Sequence, residues 1–87
     1  GNSALVMTPM LRASLAGARV FGARGEFIGT VLGVSDDGAL RVATKLSGTL
    51  ELVNAVARID NDRVWLRTSE QALAPYLDDD FTRLRLE

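Results

Sequence analysis

Between Arg19 and Val34 the chain reads Arg-Val-Phe-Gly-Ala-Arg-Gly-Glu-Phe-Ile-Gly-Thr-Val-Leu-Gly-Val, and this stretch limits the fold more than any other. Its glycines, Gly22, Gly25, Gly29 and Gly33, disfavour a helix, where each would cost about 1 kcal/mol relative to Ala. The β-branched and aromatic residues around them favour strands. The polar Ala23-Arg24-Gly25-Glu26 lies between two apolar runs, so the stretch predicts a tight hairpin with Gly25 at positive φ. Strand one is Ala18 to Phe21 and strand two is Phe27 to Val34. Ile28, Val31 and Val34 are three residues apart, which a flat strand cannot keep on one face. A bulge near Gly29-Thr30 would restore the phase.

The rest of the chain repeats short strands between turn signals. Gly17 marks the bend before strand one. Ser35-Asp36-Asp37-Gly38 is a turn. Leu40 to Leu46 alternates, with Leu40, Val42, Thr44 and Leu46 on one face. Ser47-Gly48 turns the chain into Thr49 to Val53, with Leu50 and Leu52 inward and Glu51 outward. Asn54-Ala55-Val56 reads as an irregular crossing into a short strand at Ala57-Arg58-Ile59. Asp60-Asn61-Asp62 is a hairpin turn into Arg63 to Arg67, with Val64 and Leu66 on one face and Arg63, Trp65 and Arg67 on the other. Thr68-Ser69-Glu70-Gln71 fits a capping box for a helix from Ser69 to Leu73. Pro75 is expected to end it by pushing Ala74 out of the helical region. The expected inward set is Val20, Ile28, Val31, Leu40, Val42, Leu50, Leu52, Ile59, Val64 and Leu66.

The 87 residues favour one domain. Residues 1–10 read as a flexible lead, in which Leu5-Val6-Met7 could add an edge strand. Residues 11–77 read as the barrel, and 78–87 as an acidic and then amphipathic tail. There is no cysteine and no histidine. That removes disulfides, the commonest zinc ligands and the commonest general base. A net charge of −1 disfavours a strongly electrostatic nucleic-acid binder. No apolar run approaches the ~18 residues that span a bilayer, so no membrane span and a cytoplasmic protein are expected.

Leu15-Ala16-Gly17-Ala18-Arg19-Val20 followed by Gly25-Glu26-Phe27-Ile28-Gly29-Thr30-Val31 resembles the opening of a PRC-barrel domain. Val56-Ala57-Arg58-Ile59-Asp60-Asn61-Asp62-Arg63-Val64-Trp65-Leu66 is similar to that family's closing hairpin, and a short helix ending near Pro75 also fits. The resemblance covers about Leu11 to Tyr76. Many relatives carry a proline near position 54, where this chain has Asn54. Known members include the cytoplasmic domain of the photosynthetic reaction-centre H subunit, the C-terminal domain of ribosome-maturation factors, and small stand-alone bacterial and archaeal proteins. The resemblance implies an all-β, SH3-like barrel of five or six short strands with one short C-terminal helix, acting as an adaptor with no active site.

The candidate chemical motifs fail on spacing. The glycines match neither G-x-G-x-x-G nor a P-loop. Asp60 and Asp62 start like a calcium loop, but its sixth and twelfth positions are Trp65 and Gln71 rather than Gly and Glu. Asp36-Asp37 and Asp78-Asp79-Asp80 read as solvated charge. No enzyme, cofactor or metal is expected. The expected function is protein–protein association, including a homodimer, with Trp65, Tyr76, Phe81, Leu84 and Leu86 as interface candidates. The alternating tail reads either as a final strand or as an extended arm; in the interface reading it has little core left to cover at home and adds to a partner's sheet edge. The alternative is an RNA- or ribosome-associated module contacting RNA through Arg58, Arg63 and Arg67 around Trp65.

Overall fold

The structure is a computed structural model that describes residues 14–87. The lead over residues 1–10, including the edge-strand option at Leu5-Val6-Met7, lies outside the described residues. Seven strands form one sheet: β1 (Arg19–Phe21), β2 (Phe27–Val34), β3 (Leu40–Thr44), β4 (Thr49–Val53), β5 (Val56–Asp60), β6 (Arg63–Leu66) and β7 (Thr82–Arg85). Their order is β5-β6-β1-β2-β3-β4-β7. A short helix, α1 (Glu70–Leu73), runs on into a 3-10 turn at Ala74–Tyr76. No helix among the described residues is long and apolar enough to cross a membrane.

The connection between β4 and β5 determines the shape. Only Asn54 and Ala55 join these strands, yet five spacings separate them in the sheet order. In a flat sheet those spacings would cover about 24 Å. Three Cα steps from Val53 to Val56 reach at most about 11 Å. The sheet must therefore curl until its two ends approach, which makes it a half-barrel. Asn54 turns the corner at φ 59°. Asn tolerates that region, whereas the fixed φ of proline excludes it. Arg67 braces the corner: its N–H donates to the Ala55 carbonyl at 2.7 Å and its guanidinium to the Asn54 carbonyl at 2.8 Å.

The expected turns hold. Gly17 and Gly25 both lie at φ 85°. β2 carries two irregularities instead of one, and they flank the expected position. Against β1, Val20 pairs with Gly29 and Phe21 with Phe27, leaving Ile28 as the extra residue. Against β3, Val31 pairs with Val42 and Gly33 with Arg41, leaving Leu32 as the extra residue. Each bulge shifts the alternation by one, so Ile28 and Val31 are both buried despite their spacing. Gly29 is required by close approach, because a Cβ there would overlap the Ala43 carbonyl oxygen on β3.

All of the expected inward set is buried except Ile59, which is partly buried on the edge strand β5. Leu15, Leu73 and Leu77 complete the core. Leu46 is exposed, because β3 ends at Thr44 and the alternation stops there. The helical segment differs from expectation at both ends. Ser69, one residue after the expected cap, accepts from the Ala72 N–H at 3.4 Å. Thr68 instead gives its carbonyl to the Ala23 N–H at 2.8 Å. Ala74 stays helical at φ −51° and ψ −40°. Pro75 does not stop the segment, because it falls in the first turn of the 3-10 helix, where its missing N–H has no role.

The tail is the seventh strand. β7 lies parallel on β4, with Glu51 opposite Arg83 and Leu52 opposite Leu84. Leu84 and Leu86 pack partly buried against the core. The expectation that the tail leaves little core to cover at home is therefore corrected: its leucines have an inner face waiting for them along the exposed side of β4.

Thr44 ties the helical segment to the β3–β4 hairpin. Its buried hydroxyl donates to the Leu77 carbonyl and accepts from the N–H groups of Leu46 at 3.2 Å and Gly48 at 2.9 Å. Thr44→Val preserves shape but removes all three bonds. It should lower stability by about 1–3 kcal/mol, read as a lower urea midpoint at unchanged m-value.

Candidate interaction surface

The outer face of the half-barrel carries two different arrangements. Across β2, β1, β6 and β5, the registers place Phe27 opposite Phe21, Phe21 opposite Trp65, and Trp65 opposite Arg58. These outward side chains form a continuous row. Phe27 meets Phe21 edge-to-face at 5.9 Å between ring centres. Phe21 stacks on Trp65 at 5.5 Å. The Arg58 guanidinium lies 3.9 Å from the centre of the Trp65 ring. Because β6 sits between β1 and β5, Phe21 and Arg58 approach Trp65 from opposite sides. Both faces of the indole are thereby occupied. Phe27 at the end of the row is 39% exposed.

Charged groups surround this row. Arg19 and Arg63 are opposite each other on β1 and β6, and Asp60 is opposite Arg63 on β5. Arg19, Arg58, Arg63, Asp60 and Asp62 are all exposed. None of them forms an ion pair within the described residues.

The other half of the outer face is electrostatically closed. Arg41, Glu51 and Arg83 lie side by side on β3, β4 and β7. Arg41 Nη2 donates to Glu51 Oε1 at 2.8 Å, and Arg83 Nη1 donates to Glu51 Oε2. The second Arg83 amino group reaches Asp37 at 3.4 Å. Glu51 is consequently buried although its side chain points outward. Arg41, followed by Arg83, holds the Glu51 carboxyl below its ordinary value of 4.5. The Ser35 hydroxyl, with the Ala39 N–H, lowers Asp37. At the opposite end of the molecule, backbone N–H groups, first its own and then those of Glu70 and Arg24, lower Glu26. Glu26 links the β1–β2 turn to the start of α1, accepting from Arg24 N at 2.8 Å and Glu70 N at 3.1 Å.

The residues expected at an interface are not brought together. Trp65 is in the aromatic row. Tyr76, Leu84 and Leu86 pack against the core. Phe81 is 53% exposed but lies beside Arg41, whose guanidinium is 5.9 Å from its ring centre. Of the arginines expected to contact RNA, Arg58 and Arg63 flank the row. Arg67 is turned to the corner, where it donates to Asn54 and to the Glu87 carbonyl at 2.8 Å each. Sequence reasoning missed Phe21 and Phe27. Their place in the row depends on the parallel pairing of β1 with β6, which no local pattern signals.

The three lowered carboxylates fix a pH response. A group whose folded pKa lies below its unfolded value stabilises the fold above the unfolded value, and that stability is lost as pH falls through the folded pKa. Urea midpoints should therefore be level near neutrality and decline as pH drops below the ordinary values of 4.5 for Glu51 and Glu26 and 3.8 for Asp37. Glu51→Gln should start lower at neutral pH and decline less steeply, as read from a pH series of urea titrations.

No family model, curated protein or solved structure matches the chain, so its function rests on the chemistry of this surface.

Proposed function

We propose that this chain is a non-enzymatic, cytoplasmic docking barrel of the PRC-barrel kind that associates with a second copy of itself through the β5–β6–β1 side of its sheet. The observation that carries this reading is the row from Phe27 to Arg58, bordered by arginines without ion pairs among the described residues. Trp, Phe and Arg are enriched at the centres of protein interfaces, where Lys and Glu are depleted. The same border carries Asp60 and Asp62 beside Arg58 and Arg63. A patch with both signs around an apolar centre is self-complementary, as a two-fold contact between identical surfaces requires. A net charge of −1 leaves little long-range repulsion between copies.

The same geometry weighs against RNA. Sequence-tolerant RNA binding stacks bases on open aromatic faces. Trp65 has Phe21 on one face and Arg58 on the other. A base would have to displace one of them.

Sedimentation equilibrium across a concentration series should show a reversible dimer. Trp65→Ala should weaken it about tenfold, within the range of an interface hot spot, while Trp65→Phe should keep most of the affinity. A protein that stays monomeric at every concentration overturns the reading.

A further inference from the structure

The two edges of the sheet, β5 and β7, present different backbones to a partner. Among the described residues β5 has no neighbour on its far side, and Ala57, Arg58 and Asp60 are exposed. Its residues form no backbone hydrogen bonds to other described residues beyond those of the β5–β6 ladder. An open edge of this kind is a template for another strand unless its side chains forbid pairing. We infer that the second copy binds along this edge, β5 against β5 in antiparallel orientation, with Ile59 opposite Ile59 at the two-fold axis. This rests on the self-association proposed above and specifies its contact line.

The register follows from charge and pleat. Opposed residues in a sheet must share a face. On β5, Arg58 and Asp60 pair with the outward Trp65 and Arg63, while Ile59 pairs with the inward Val64. Centring the two-fold on Ile59 places Arg58 opposite Asp60 of the other copy, twice, and joins two isoleucines on the inner face. Centring it on Arg58 or on Asp60 sets like charges directly opposite, which is destabilising. Of these three registers, only the one centred on Ile59 is favourable.

The other edge fails the same test. On β7, Arg83 and Arg85 occupy the outward positions and Thr82 and Leu84 the inward ones. Centring on Leu84 opposes Arg83 to Arg85, and centring on either arginine opposes it to itself. β7 thus repels a second β7 in each of these registers, while β5 attracts a second β5 in one. Pairing along this line would join the two seven-stranded sheets into one continuous sheet, with the aromatic rows of both copies on the same outer surface.

A charge-swap experiment tests the inference, using the full chain in sedimentation equilibrium. Arg58→Asp should raise the dimer dissociation constant about tenfold or more, because each copy then sets Asp against Asp. Arg58→Asp combined with Asp60→Arg should restore the dimer, since the opposite charges are exchanged but still meet. Phe27→Ser, three strands away from the edge, should weaken the dimer less than Arg58→Asp does. Because the chain has no cysteine, Ile59→Cys provides a check independent of charge: mild oxidation should yield a covalent dimer. If Arg58→Asp leaves the dimer intact, or the double variant stays as weak as the single one, the edge inference is overturned and Arg58 acts only through Trp65. A dimer weakened more by Phe27→Ser than by Arg58→Asp also overturns it, in favour of face-to-face docking, and leaves the self-association reading standing. A wild-type chain that is monomeric throughout removes both.

Discussion

The two-residue link from β4 to β5 is the constraint on which the other features depend. It joins strands near opposite ends of the sheet order, so the sheet cannot lie flat. Once curled, the sheet has an inner face small enough to be filled by one side chain per strand step, without a second sheet. Val20, Val42, Leu50 and Val64 are fully enclosed there. The curl leaves the end of the half-barrel near the β3–β4 turn open. The helical segment covers it with Leu73 and Leu77, anchored by Thr44 and by the Lys45–Glu70 ion pair at 2.7 Å. The same curl makes the outer face convex, so outward side chains diverge and stay accessible unless they are paired across strands.

That geometry explains why polar groups concentrate at the corner and along β4. Arg67 holds Asn54, Ala55 and Glu87 together where three chain segments converge. Leu86 donates to Val53 at 2.9 Å, and Asn54 donates to the Leu86 carbonyl at 2.8 Å. These bonds satisfy backbone groups that a closed barrel would pair through a ladder. Glu51 serves β4 similarly, bridging the arginines of the strands on either side. An outward carboxylate between two guanidiniums loses little by being partly covered, because both of its oxygens accept charge-assisted hydrogen bonds.

Local pattern in the sequence reveals the strands, the turns at Gly25 and Asn61, and the core residues on the strands, but not Leu15, Leu73 and Leu77, because period-two burial and turn chemistry act over a few residues. It does not reveal which distant strands meet. The parallel pairings of β1 with β6 and of β4 with β7 are long-range, and both decide the surface. The first aligns Phe21 with Trp65. The second lays Leu84 and Leu86 partly buried against the core, although their alternation with arginines reads equally well as a strand seeking a partner elsewhere. Pro75 shows a local rule giving way to packing: the expected break at Ala74 yields to a helical turn because Leu73 and Leu77 on either side are both buried.

Electrostatics divides the outer surface into halves suited to different tasks. On the β3–β4–β7 side, Arg41, Glu51, Arg83 and Asp37 neutralise one another and hold the seventh strand in place. A partner docking there would have to compete with ion pairs already formed. On the β1–β6–β5 side, Arg19, Arg58, Arg63, Asp60 and Asp62 make no such pairs among the described residues, and the apolar rings beside them are joined to one another rather than buried. Covering that side breaks no ion pair between described residues. The self-association proposed above therefore falls on the side where charges are unpaired among the described residues, next to the edge strand β5, on which Arg58 and Asp60 carry opposite signs.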